Sequence, residues 1–478
     1  MKGTVTTMLV ALIISCALFM ENLDATVLAT ALPAMGESLG VSPIHLSLAI
    51  TAYILSLAVF IPISGWVADR FGSSRVFRAA IVLFTLGSIA CGLSQSLPQL
   101  ALARLLQGVG GAMMVPVGRL VLLRTVPKDQ LVRAMNYLTT PAMVGPLIGP
   151  PIGGLLTTYL SWRWIFFINI PIGLLGLYLS WRYIADHREE AVAKLDGWGF
   201  VNSGVALAAL MAGFESIGRD GVDWRVAPSL LAFGVLVGIV AVRHSRRHPH
   251  PLVDLDLLKT ATFRISVLGG SLFRICMGAI PFLLPLMLQV GFGMTAFVSG
   301  LLTFATAAGA LVMKMTAGPI LRRYGFRQAL VINSVLSALL TGAIGLFRPD
   351  TPVPLILLVL LVGGFFRSLQ FTGLNTLAFA DVPAARMSAA TSLSSMVQQV
   401  SLGMGVATGA LLLHTTLALH GGAQLVPHDF MVAFLTVMVI GLASFFFFIR
   451  LDPDAGAEVS GHHSHPLRPA TEHAAGDD

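Results

Sequence analysis

Gly65-Trp66-Val67-Ala68-Asp69-Arg70-Phe71-Gly72 recurs in outline as Gly318-Pro319-Ile320-Leu321-Arg322-Arg323-Tyr324-Gly325. Each copy has two glycines seven residues apart, an aromatic just before the second, and an arginine soon after it (Arg75 and Arg327). Each lies at the joint between the second and third apolar runs of its half. The offset of about 250 residues divides the 478-residue chain into two similar halves. Duplicated helical bundles of this kind are the usual architecture of secondary transporters, whose substrate path runs between the halves.

Composition agrees with that reading. The chain is 55% hydrophobic and 11% charged, with a mean hydropathy of +0.82. Soluble domains carry roughly 25% charged residues. Too little charge is present to keep this much apolar surface in water, which excludes a disulfide scaffold, a disordered chain and an ordinary cytosolic enzyme. Apolar runs long enough to cross a bilayer fall near 8–33, 44–68, 77–95, 98–123, 134–158, 164–184, 198–216 and 226–242. Six more fall near 265–290, 297–319, 328–347, 353–379, 389–418 and 430–449. The first is too long for a signal peptide and is read as a retained span. The expected fold is an all-α membrane protein of two six-helix bundles joined by two linker transmembrane helices. The expected units are 1–190, 191–250 and 251–451, followed by a disordered cytoplasmic tail at 452–478.

The net charge of +7 reflects topology rather than nucleic-acid binding. With both termini cytoplasmic, 21 of the 30 Lys and Arg fall in cytoplasmic segments. Four fall outside (Arg163, Arg219, Arg225, Arg348) and five within spans (Arg104, Arg119, Arg274, Lys314, Arg367). That asymmetry sets the orientation. The charged stretches 185–197 and 243–264 flank the linker spans. Cys16, Cys91 and Cys276 sit in apolar runs without metal or redox spacing. His462, His463 and His465 offer metal ligands, but the segment reads as a solvated tail.

Charges in a lipid-facing core cost roughly 2.5–3.5 kcal/mol each, so they face protein or water and need partners. Glu21 and Asp24, three apart, share one helical face. Two close carboxylates do not both ionise cheaply, which equips the pair to bind and release a proton. Arg104, in Arg104-Leu-Leu-Gln107-Gly108-Val-Gly110-Gly111, can approach them because the glycines allow close helix contact. Gly145-Pro146-Leu-Ile-Gly149-Pro150-Pro151-Ile-Gly153-Gly154 reads as a pliable, closely packed helix that helps seal one side, or as packing alone. Asp69, Arg70 and Arg75, with Gly65 and Gly72, read as a latch at a loop. Asn22, Gln107, Arg274, Gln289, Arg367, Phe371, Asn375 and Gln398 are the candidate substrate contacts. Arg274 and Arg367 have no acid in their own spans. They favour an anionic or zwitterionic ligand, or pair with Asp24 or Glu21 across the interface. Lys314 is expected to snorkel. No nucleotide loop, metal motif or activated serine occurs, so no cofactor is implied.

These motifs resemble the major facilitator superfamily, and more closely its fourteen-span drug:proton antiporters. The resemblance covers about residues 5–450. Leu23-Asp24-Ala25-Thr26 through Ala31-Leu32-Pro33 is similar to the family's first-span signature, and Gly65 to Arg75 to its loop motif. Arg104-x-x-Gln107-Gly108 resembles the fourth-span motif that the family associates with proton transfer. Gly145 to Gly154 resembles the antiporter motif, and Ser161-Trp162-Arg163-Trp164 through Asn169-Ile170-Pro171 is typical of the fourteen-span group. The chain departs at Ala29, where the family usually has Asn, and at Ser74, where it usually has a basic residue.

The resemblance implies a proton-coupled exporter of amphipathic small molecules in the inner membrane, multi-pass, with both termini cytoplasmic. Asp24, Glu21 and Arg104 would couple the proton. The expected partners are small-molecule substrates, protons and membrane lipids, with a periplasmic adaptor and outer-membrane channel left open. The alternatives are an exporter of lipid or anionic metabolites, or a receptor or scaffold that kept the fold and lost transport.

Overall fold

A computed structural model describes residues 2–126, 130–184, 194–217, 223, 225–249, 251–383, 386–422 and 424–462. Arg219, the charged stretch at 185–193, and His463 and His465 lie outside the described residues. Among the described residues there is no strand. The first half comprises α1 (Lys2–Leu39), α2 (Ser47–Phe60), α3 (Ser64–Phe71), α4 (Ser73–Leu93), α5 (Leu97–Thr125), α6 (Leu131–Tyr159), α7 (Trp164–Phe167) and α8 (Asn169–Tyr183). Two linker helices follow, α9 (Gly197–Glu215) and α10 (Val226–Arg247). The second half is α11 (Ala261–Leu286), α12 (Ala296–Gly345), α13 (Val353–Ala380), α14 (Met387–Leu419), α15 (Pro427–Ala443) and α16 (Phe445–Phe448), with a short α17 (Ala457–Ser460) after it.

Twelve helical stretches of the described residues are long and apolar enough to cross a bilayer. Within Ala296–Gly345 the backbone turns at Gly325, so that element holds two passes. The 29-residue α6 is a further long helix. Together these give the fourteen passes read from the sequence. Breaks inside passes follow prolines. Pro62 lies in the 3₁₀ turn between α2 and α3, and Pro281 and Pro285 precede the π-helical turn Met287–Gly291.

The repeated loop motif is visible in the backbone. Gly72 has φ 94° and ψ 125°, and Gly325 has φ 70° and ψ 169°. Both conformations are ones that only glycine adopts without strain, which explains glycine at the same place in each copy. Two corrections concern ends. The first pass, read as ending near 33, runs on to Leu39 despite Pro33. Residues 452–462, read as the start of the tail, instead make a turn and α17. There His462 Nδ1 lies 3.2 Å from Arg322 O, at the second loop motif.

The helices run between two ends, one marked by Ser42 and the other by Gly72. At the Ser42 end one apolar core joins both halves, from Leu23, Leu32 and Phe166 to Phe282, Leu286 and Phe434. Toward the Gly72 end the core divides. Ile14, Phe77 and Val121 belong to a first-half cluster. Phe273, Met313 and Leu377 belong to one second-half cluster, and Phe263 and Leu393 to another.

The joint at the Ser42 end rests on glycine. On α6, Gly145, Gly149 and Gly153 lie four apart along α1. A Cβ on Gly149 would stand 2.1 Å from Thr26 Oγ1, and one on Gly153 2.6 Å from Val27 O. Across the halves, a Cβ on Gly154 would meet Ala296 O at 2.3 Å. One on Gly300 of α12 would meet Pro150 O at 2.2 Å. Gln289 Nε2 adds a hydrogen bond to Thr30 O at 3.0 Å, and α2 packs along α14.

Candidate functional site

Asp24 is in the middle of α1, 15 residues from its end at Leu39, or about 22 Å at 1.5 Å per residue. It is only 3% exposed, and side chains from three other helices close around it. From α5, Arg104 Nη1 donates to Asp24 Oδ2 at 2.6 Å, and Gln107 Nε2 to Oδ1 at 2.9 Å. From α8, Asn169 Nδ2 donates to Oδ1 at 2.9 Å. Ser88 of α4 closes the ring, with its Oγ accepting from Gln107 at 2.8 Å and from Asn169 at 3.0 Å. Ser88, Gln107 and Asn169 are fully buried.

Arg104 has no neutral form to retreat to, so its surroundings must be complete. Nη1 also donates to Gln107 Oε1 at 2.7 Å, and Nε donates to Ala49 O of α2 at 3.2 Å. The guanidinium lies over the Tyr53 ring, 4.3 Å from its centroid, an arrangement that stabilises a desolvated cation. Glycines make the approach possible. A Cβ on Gly108 would strike Tyr53 O at 2.7 Å, and one on Gly87 would strike the Gln107 backbone. The α1–α5 pairing read from the sequence is therefore formed. Breaking such a buried pair by neutralising one member costs roughly 3–5 kcal/mol. Through Arg104 the carboxylate of α1 is thus tied to both α5 and α2.

Glu21 lies one turn away and is half-buried, with Oε2 shielded from solvent and without a hydrogen-bond partner. It feels the charges of Asp24 and of Arg119, whose side chain is exposed. The other candidates disperse. Gln107, read as a substrate contact, holds Asp24 in this structure. Asn22 is engaged with its own helix, donating to Leu18 O at 2.8 Å. Gln289 is spent on the joint between the halves, and Gln398 is half-buried on α14. Ser88 and Asn169 were not given a role from sequence. Single polar residues in apolar runs are the only signal they leave.

In the second half, Arg274 is buried and donates from Nη2 to Asn375 Oδ1 at 3.0 Å and from Nη1 to Ser266 O at 3.3 Å. It does not pair with Asp24 or Glu21; both of these hydrogen bonds stay within the second half. Arg367 is 3% exposed, and its Nη1 and Nη2 find no hydrogen-bond partner. Asn375 and Phe371 line a cleft of about 550 Å³ with Lys314, Thr372, Thr376, Phe379, Ala380 and Val459. In the loop motif, Asp69 Oδ1 takes Arg124 Nη2 at 2.7 Å, a bond within the first half rather than between halves. Arg70 and Arg75 are exposed there.

Comparison with known proteins agrees with this architecture. The family model described as Major Facilitator Superfamily matches residues 14–407 and 267–475. A protein of Salmonella heidelberg named "Putative multidrug resistance protein MdtD" is 38% identical over 448 residues, covering 92% of this chain and 94% of that one. The protein of the same name from Pectobacterium atrosepticum is 38% identical over 444 residues, covering 92% and 95%. Among solved structures, a POT family transporter in complex with 5-aminolevulinic acid superposes with a TM-score of 0.70 at 15% identity, covering 93% and 96%. A D-xylose–proton symporter gives a TM-score of 0.67 at 13% identity, covering 93% and 98%. With its two bundles, its repeated loop motif and these relatives, the chain belongs to the Major Facilitator Superfamily, a family of membrane transporters and not of enzymes.

Proposed function

We propose that the chain is a proton-coupled exporter of amphipathic small molecules, working by alternating access in the inner membrane. The observation that carries this reading is the buried Asp24–Arg104 pair, closed by Gln107, Asn169 and Ser88. The Gly72 end is assigned to the cytoplasm, because Lys and Arg concentrate in its loops. The conformation is then closed outside, where one core joins the halves, and parted inside, where the core divides. Protonation of Asp24 loosens its hold on Arg104, and Arg104 in turn carries Ala49 of α2, which packs on α14 of the other half. The membrane potential adds roughly 2.3 kcal/mol per charge per 100 mV to drive the cycle. The MdtD relatives' name supports drugs as substrates. The second reading, export of organic anions, is supported by the acid-free surroundings of Arg274 and Arg367.

The test is Asp24→Asn in reconstituted vesicles. A pH gradient is expected to drive no uphill efflux in the variant, while substrate counterflow persists. Gradient-driven accumulation equal to wild type refutes the assignment. Running organic acids beside cationic drugs separates the two substrate readings.

A further inference from the structure

The linker helices carry a cluster of side chains that the Asp24 site does not use. Asp196 begins α9 as its cap. Its Oδ1 accepts from Gly199 N at 2.8 Å, and its Oδ2 accepts from Leu252 N at 3.2 Å. His244, in the last turn of α10, brings Nε2 to 2.7 Å from Asp196 Oδ1. His248 follows one turn later, its ring centroid 5.2 Å from that of His244. One donor atom from each of Asp196, His244 and His248 lies within 4.8 Å of the others. The carboxylate is buried and both imidazoles are half-buried. The basic neighbours Arg243, Arg246 and Arg247 are exposed, while the histidines, four apart, share the face toward α9.

We propose that Asp196, His244 and His248 form a binding site for a divalent transition-metal ion of the zinc class, joining the start of α9 to the end of α10. Two nitrogens and one carboxylate oxygen suit zinc, with water completing a tetrahedron. Bonds of about 2.0–2.1 Å place ligand atoms roughly 3.3 Å apart. The 2.7 Å pair has to open slightly and His248 has to swing inward, both of which side-chain rotation supplies. The backbone donors on Asp196 fix its carboxylate in place, as outer-sphere partners do in metal sites. The nearby arginines are exposed, where solvent screens the repulsion they exert on a cation. Binding requires neutral imidazoles, so it fades as the medium is acidified through the histidine range.

The test uses the full chain in detergent, free of any tag and carrying His462→Ala, His463→Ala, His465→Ala and His473→Ala so that the C-terminal histidines do not bind. Cobalt is titrated as a spectroscopic probe and then displaced by zinc. The expected result is one equivalent of cobalt with the strong visible bands of tetrahedral coordination, lost in His244→Ala/His248→Ala. Asp196→Asn keeps a competent helix cap, and it is expected to weaken zinc binding at least tenfold. Equal zinc stoichiometry with and without the two histidines, including none in either, overturns the site and leaves a hydrogen-bonded cap. Unchanged affinity in Asp196→Asn overturns the assignment of the carboxylate.

Discussion

Gly300→Val tests the closed joint directly. In this structure a Cβ on Gly300 would lie 2.2 Å from Pro150 O and 2.8 Å from its carbonyl carbon, against the 3.4 Å at which ordinary contact begins. The obstructing atoms are backbone, so no side-chain rotation relieves the clash, and the helices must separate by about 1 Å. Overpacking of this kind costs roughly 1–3 kcal/mol. The cost falls only on the state in which α6 and α12 touch. A penalty of that size lowers the population of the closed joint by roughly 5–150-fold. Spin labels on the exposed residues Leu160 and Leu346, in a background without the native cysteines, report the separation at the Ser42 end. The distance distribution is expected to shift outward in Gly300→Val. Gly318→Val serves as the control, since nothing lies within 4 Å of a Cβ there. An unchanged distribution in Gly300→Val, at intact folding, would refute the reasoning.

Other outcomes follow from single contacts. Asn169→Leu removes a donor to a charged carboxylate, worth roughly 1.5–3 kcal/mol, and is expected to lower both efflux and thermal stability. Asn22→Leu, whose amide serves only its own helix, is expected to change neither by a comparable amount. Gly325→Ala forces a Cβ into a conformation with φ 70° and against His462, so the midpoint of thermal unfolding should fall by the equivalent of roughly 1–3 kcal/mol. For Asp196, burial pushes the carboxyl's pKa up, but hydrogen bonds from Gly199, His244 and Leu252 outweigh burial and hold it below the ordinary range. A group depressed on folding lends stability that is fully present above its unfolded value of about 3.9 and is lost as pH falls through the folded value. Thermal melts below about pH 4 should therefore decline in wild type, and less so in Asp196→Asn.

The parts of the site that were legible in the sequence are those whose misplacement is expensive. An aspartate and an arginine in apolar runs must find each other, so Asp24 and Arg104 could be paired before any helix was positioned. The glycines at 72 and 325 were legible because a backbone requirement repeats with the fold. Gln107 and Gln289 were harder to place, because a neutral amide satisfies a carboxylate, a backbone carbonyl or a ligand equally well. Only the packing partner decides among these. Asn169 and Ser88 left still weaker traces. A small polar group costs little when it bonds to its own helix, and nothing in its local sequence says whether it does. The ordered turn beyond residue 452 was missed for a similar reason: its contact, Arg322 O at the second loop motif, is far away in the chain.

The linker hairpin has a mechanical consequence. α9 packs on α2 of one half and on α14 of the other, while α10 buries only Ala227 and Gly234. The insertion thus straddles the seam between the bundles, and its outer helix is left largely unburied. Under the proposed alternating-access cycle, any swing of the lobes would have to shear this hairpin against the surrounding lipid. Membrane thickness and tail order thereby enter the work of each turnover, and a bilayer too stiff to yield would slow the machine without touching its binding sites.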